Sequence, residues 1–148
     1  MVKKQIKMKY INISWSQFNT MVNILSGFIS RSEEKFDGIY GIPRGGLCLA
    51  VCLSHKLDIP LTITVSKNTL VVDDISDNGL TLEYYTTLGS KIATLFSTDW
   101  TITKPNWFIQ KKLNKDEWIV FPWEDKMGER QTTLDEFEEK KDDKNTEK

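Results

Sequence analysis

The stretch Thr69-Leu70-Val71-Val72-Asp73-Asp74-Ile75-Ser76-Asp77-Asn78-Gly79-Leu80-Thr81 places three carboxylates, a turn and a hydroxyl behind an unbroken apolar run. A β-branched run of this kind reads as a strand covered on both faces, so it delivers Asp73 and Asp74 to the edge of a sheet. Asn78-Gly79 signals a turn, and Leu80 opens a segment able to form a helix. Backbone N–H groups in such a turn, with the positive end of a helix behind them, form a cradle for a phosphate, and the Thr81 hydroxyl adds a donor. Phosphate repels Asp73 and Asp74, which must therefore face sugar hydroxyls or a Mg²⁺ ion that keeps several of its waters. Taken alone, the same residues also fit a plain polar turn.

Two further segments carry suitable residue types. Gly41-Ile42-Pro43-Arg44-Gly45-Gly46-Leu47 ends a strand-like run, 36–42, and precedes an apolar helical segment, Leu47–Leu57. By itself it is a strand-to-helix turn with an arginine. Asp116-Glu117-Trp118-Ile119-Val120-Phe121-Pro122-Trp123-Glu124 holds two tryptophans in an extended run, which is compatible with a buried pair in an edge hairpin.

The elements that must position these segments follow from periodicity. Residues 10–13 alternate like a short strand, and Ser14 offers an N-cap to a helix whose apolar face is Phe18, Met21, Val22, Leu25 and Ile29. Residues 61–65 and 69–72 read as strands, 80–88 as a helix ended by Gly89, and 91–96, 107–109 and 118–121 as extended pieces. This order predicts an α/β domain with right-handed crossovers and a ligand at the carboxyl ends of its strands.

The acidic segment resembles the signature that binds phosphoribosyl pyrophosphate (PRPP) in type I phosphoribosyltransferases: an apolar strand, two acids, then a small-residue turn of the form Thr-Gly-x-Thr. Gly79 and Thr81 match it, and Asn78 stands in the first threonine's place. Pro43-Arg44-Gly45-Gly46 is similar to the turn that holds pyrophosphate in the xanthine-guanine branch, through backbone N–H groups and an unusual peptide geometry. Residues 116–124 are similar to that branch's base-binding segment. The resemblance covers residues 36–124 and implies a mostly parallel sheet flanked by helices, with a small C-terminal hood. It implies PRPP or 5′-phosphate binding by Asp73, Asp74, Asp77, Asn78, Gly79, Leu80 and Thr81, and pyrophosphate binding by Arg44 and Gly45. It also implies stacking of a purine on Trp118, an acceptor at the Ile119 carbonyl, and Mg²⁺ at Asp74. Asp77, whose third-acid position marks enzymes acting on 6-oxopurines, is the candidate catalytic group for the purine's proton. The implied partners are PRPP and a purine base or nucleotide, in a homo-oligomer.

Two family features are absent. Only residues 61–72 separate Pro60 from Asp73, too few for the long flexible loop that closes over PRPP. Ser97-Thr98-Asp99 stands where the branch has a lysine that contacts the purine oxygen, and Lys104-Pro105 lies a few residues on. A PRPP-dependent 6-oxopurine phosphoribosyltransferase is the leading reading, and a non-catalytic PRPP- or nucleotide-binding module of the same fold is its alternative.

Composition bounds the rest. The 148 residues are 39% hydrophobic and 28% charged, enough for one core. No apolar run approaches the roughly 20 residues that span a bilayer, and no signal-like core follows the basic N-terminus, so no membrane partner and a cytoplasmic location are expected. His55 is the sole histidine, and Cys48 and Cys52 read as small reduced core residues. Residues 124–148 carry ten acids and six bases, which leaves the preceding body at +3 and argues against nucleic acid as a partner. A phosphoribosyltransferase-like domain over 1–124 and a charged, disordered tail over 125–148 are expected.

Overall fold

The computed structural model describes residues 7–124. The charged tail expected over 125–148 lies outside the described residues. The elements follow in the order β1 (Lys9–Asn12), α1 (Trp15–Arg31), β2 (Gly38–Gly41), α2 (Leu47–Leu57), β3 (Thr69–Ser76), α3 (Leu80–Thr87), β4 (Lys91–Ser97), β5 (Gln110–Lys111) and β6 (Glu117–Val120). Strands β2-β3-β4-β5 form an all-parallel sheet in that order. Successive side chains of a strand point to opposite faces, so β3 needs a cover on each side. On one face Leu70 and Val72 meet Leu25 of α1 and Leu49 and Leu53 of α2, all fully buried. On the other, Val71 and Ile92 pack against Leu82 of α3. Each such burial is worth about 1.5–3 kcal/mol. Ser14 caps α1 as expected, its hydroxyl accepting from the Gln17 N–H at 3.0 Å while Gln17 Oε1 accepts from the Ser14 N–H at 2.8 Å.

The route of the chain fixes where a ligand can sit. After α2 the chain returns at Leu61, which bridges Ile39 on the outer edge of β2, and only then crosses to β3 on the other side. From β3 it steps onward through α3 to β4. Strand order therefore reverses between β2 and β3, and the gap beyond their carboxyl ends is the expected crevice of an open α/β sheet.

Two strand expectations need correction. Residues 61–65 do not form a strand; the pairing is a single bridge at Leu61. Thr62 and Thr64 are strand-like by composition, but the Thr62 hydroxyl turns the chain locally, accepting from the Thr64 N–H and donating to the Thr64 carbonyl, both at 3.1 Å. Strand β3 in turn runs on past Val72 to Ser76, because β4 offers Phe96 and Ser97 as partners for Ile75 and Ser76. Asp73 and Asp74 are thus strand residues rather than loop residues.

The hood is not solely C-terminal. Strand β1 pairs in parallel with β6, Tyr10 opposite Trp118 and Ile11 opposite Ile119, which excludes the edge hairpin. Phe121 and Trp123 stack at 5.1 Å, and Trp123 meets Phe18 of α1 edge-on at 5.1 Å, which fixes this pair on the body. Cys48 and Cys52 are free and pack against the core, while His55 is exposed. No helix of the described residues is long and apolar enough to cross a membrane.

Candidate functional site

Beyond β2 and β3, a cleft of about 790 Å³ opens between Arg44, Gly45, Asp73, Asp74, Thr81 and Trp118. That is within the usual range for a small-molecule site. Smaller cavities adjoin it through shared residues: one of about 200 Å³ along 73–79, and one of about 100 Å³ under Trp118 and Ile119. The residues singled out by the sequence therefore converge on one end of the sheet.

The turn after β3 leads into α3, whose first turn holds backbone N–H groups that have no acceptor within the helix itself. Gly79 has φ 81°, a conformation glycine adopts without a steric penalty. A side chain at Gly79 would not enter the cavity; its Cβ would collide with the Thr101 hydroxyl and with the Thr103 N–H. Residues 98–103 form a brace behind the cradle. Thr103 Oγ1 donates to the Gly79 carbonyl at 2.7 Å, the Ile102 N–H to the Asn78 carbonyl at 2.9 Å, and the buried Ser76 hydroxyl to the Thr103 carbonyl at 2.7 Å. Thr81 lines the cavity, whereas the Leu80 side chain is exposed and its N–H is held by Asn78 Oδ1 at 2.9 Å. Asn78 thus occupies a donor that a phosphate would otherwise take.

Asp73 and Asp74 form a partly buried acidic pair. Asp73 Oδ1 accepts from the Asp74 N–H at 2.9 Å, and Asp74 Oδ1 from the Ile75 N–H at 2.8 Å. Burial, reinforced by the neighbouring Asp74 charge, pushes the Asp73 carboxyl up to about 8, and burial also raises Asp74. Glu124 is raised by burial and by Asp74. Such a pair holds a proton until a cation or hydroxyl donors relieve it.

The Arg44 turn lies against this pair. The peptide between Pro43 and Arg44 is cis, which gives the turn the unusual peptide geometry implied by the resemblance, and the Arg44 side chain is exposed on the cleft wall. A Cβ on Gly45 would lie 2.5 Å from Asp74 Oδ2, so only glycine lets the turn approach the carboxylate this closely.

Asp77 is not a free base. Its Oδ2 accepts from Lys112 Nζ at 2.7 Å, its Oδ1 from Trp100 Nε1 at 3.0 Å, and its carbonyl from Thr98 Oγ1 at 2.5 Å. Lys112, which sequence reasoning missed, is only 6% exposed. Lys104, a few residues beyond the place where the branch has its lysine, is exposed. Trp118 is half exposed and lines both the cleft and the cavity beneath it. The Asp116 and Val120 carbonyls accept from Lys9 and Ile13 at 2.7 and 2.8 Å, so by alternation the Ile119 carbonyl points to the edge of β6 away from β1.

No protein-family profile matches the chain. It is similar to a purine phosphoribosyltransferase of Pyrococcus horikoshii, 32% identical with a TM-score of 0.69, over 80% of this chain and 97% of that one. It is 26% identical over 147 residues to a xanthine-guanine phosphoribosyltransferase of Cereibacter sphaeroides, covering 78% of this chain and 87% of the relative. The fold is also that of a Helicobacter pylori xanthine-guanine-hypoxanthine phosphoribosyltransferase, with a TM-score of 0.68 at 20% identity over 83% of this chain and 99% of that one.

Proposed function

The chain belongs to the purine phosphoribosyltransferases, in the type I, xanthine-guanine-like branch, and from that premise we propose that it transfers the ribosyl phosphate of PRPP to guanine, xanthine or hypoxanthine. The observation that carries this reading is the convergence of Arg44 and Gly45, Asp73 and Asp74, Gly79 and Thr81, and Trp118 on one cleft at the switch point. The cradle at 77–81 receives the 5′-phosphate, Asp73 and Asp74 the ribose hydroxyls, and Arg44 with Gly45 the pyrophosphate. Each charge-assisted contact of Arg44 contributes about 1.5–3 kcal/mol. Trp118 stacks on the base and the Ile119 carbonyl accepts from an exocyclic amine.

In the reaction the bond between ribose C1 and a pyrophosphate oxygen breaks, and its electron pair leaves with pyrophosphate. A purine ring nitrogen forms the new bond to C1, and the purine gives up its proton. Asp77, fixed by Trp100 and Lys112, stands on the base side of the site to manage that proton. Catalysis at C1 rests on placing the two reactants together and on meeting the charge of the leaving group.

The donor set suits Mg²⁺. Among the described residues no group of three or more acidic, histidine or cysteine side chains could hold a metal alone, whereas Asp74, with Asp73, offers hard oxygen ligands to an ion that retains waters and binds substrate oxygens. When bound, Mg²⁺ supplies charge neutralisation for pyrophosphate. The same reading includes a cytoplasmic homo-oligomer. Incubation with PRPP, Mg²⁺ and each oxopurine tests it, because the matching nucleoside 5′-monophosphate must appear; nucleotide from none of the three bases would refute it.

A further inference from the structure

We propose that the same cleft also transfers the ribosyl phosphate to water, hydrolysing PRPP to ribose 5-phosphate and pyrophosphate when no base is bound; this rests on the reading that PRPP lies along the acidic pair and the cradle. A segment that closes over a reactive centre keeps water from it, and an open site admits side reactions with water. The connection between α2 and β3 is held where it cannot close. Val65 packs against Val71, Leu82 and Ile92, and Ser90 Oγ donates to the Ser66 carbonyl at 2.7 Å. The Asp37 N–H donates to the Asn68 carbonyl at 2.9 Å, which ties the end of the connection to the start of β2, whereas the cleft lies beyond the strands' carboxyl ends. Trp118 on the cleft wall accordingly stays 53% exposed.

The cavity under Trp118 gives the attacking water its place. At about 100 Å³ it has room for several waters, and Asp74, Asp77, Lys112 and Glu124 on its walls offer the polar partners that a held water needs. Asp77 is fixed by Lys112 Nζ at 2.7 Å and Trp100 Nε1 at 3.0 Å, and its side chain is 41% exposed. Each carboxylate oxygen uses one lone pair on these donors and keeps another, so the group is aimed and still able to accept. In the hydrolytic step the bond between ribose C1 and a pyrophosphate oxygen breaks, and its electron pair leaves with pyrophosphate, as in transfer. A lone pair of the water oxygen forms the new bond to C1, and the water's proton passes to Asp77 and on to solvent. A purine stacked on Trp118 fills this cavity, displaces the water and is the better oriented nucleophile, so hydrolysis is the slower reaction and gives way when an oxopurine is present.

The test incubates the full chain with PRPP and Mg²⁺ but no base, in water enriched in heavy oxygen, and measures ribose 5-phosphate and pyrophosphate. The expected result is both products in equal amounts, formed faster than in a protein-free control, with no heavy oxygen in the pyrophosphate because the C1–O bond is the one that breaks. Gly79→Val, which disrupts the cradle, should fall to the protein-free rate. So should the unaltered chain with 9-deazahypoxanthine, which fills the cavity but carries carbon where the ribose would attach; if Gly79→Val fails to fold, this arm decides alone. A chain that makes nucleotide from hypoxanthine yet yields no ribose 5-phosphate without base overturns the proposal and leaves the transferase reading intact. Hydrolysis undiminished in a folded Gly79→Val or by 9-deazahypoxanthine, or heavy oxygen in the pyrophosphate, overturns it as well. Ribose 5-phosphate with no nucleotide from any oxopurine supports hydrolysis and refutes transfer, and neither product overturns both.

Discussion

Asp73 keeps its proton in the folded protein to about pH 8 because burial and Asp74 disfavour its charge, whereas in the unfolded chain it ionises near 4. Between these values the folded state binds more protons, so this group contributes stability at low pH that is lost as pH rises. In Mg²⁺-free buffer Asp73→Asn should leave the melting temperature nearly unchanged at pH 4 and raise it by a few degrees at pH 8, measured by calorimetry. Parallel pH profiles for the two proteins would show that the pair carries no such cost. At Asp77 the structure changes what substitution does. Asp77→Asn should lower kcat about 10²- to 10⁴-fold with the KM for PRPP little altered, as a lost acid–base group does. It should also lower stability by about 1–3 kcal/mol, because the buried Lys112 ammonium loses its counterion. Full turnover by the variant would remove Asp77 from the chemistry.

The units legible in the sequence were those built from contiguous residues. Strand, turn and helix follow one another at 38–57 and again at 69–87, so the Arg44 turn and the acidic turn were readable together with the elements that aim them. What escaped depended on contacts across the chain. Thr98 and Lys112 reach Asp77 over 21 and 35 residues, and Thr103 reaches Gly79 over 24. One signal for Lys112 was present: adjacent residues on a strand face opposite ways, so one of Lys111 and Lys112 had to point inward. The strand expected over 61–65 failed because threonine hydroxyls offered the backbone a local alternative. The brace behind the cradle makes its own prediction. Gly79→Val should abolish the melting-temperature rise given by PRPP or GMP with Mg²⁺, through a clash with Thr101 and Thr103 and an unfavourable positive φ. Equal ligand-induced shifts in both proteins would place the phosphate elsewhere.

At the scale of the molecule, the fold gathers the site at the point where strand order reverses, and the hood that carries Trp118 is closed by a strand from the other end of the chain. The short connection 62–68 leaves that cleft without the long loop implied by the family, and the division into a domain over 1–124 and a tail over 125–148 remains a proposal. Truncation after Lys126 should leave the melting temperature and ligand binding unchanged, since among the described residues Trp123 already ties the hood to Trp15 and Phe18 of α1. Loss of soluble protein would assign the tail a packing role. The central claim, that this cleft transfers a ribosyl phosphate without a covering loop, is tested most directly by pyrophosphate release. With protein, PRPP and Mg²⁺, addition of guanine, xanthine or hypoxanthine should release pyrophosphate in step with nucleotide formed, and adenine should release little. Binding of PRPP with no pyrophosphate from any oxopurine would contradict the account and leave a binding module in its place.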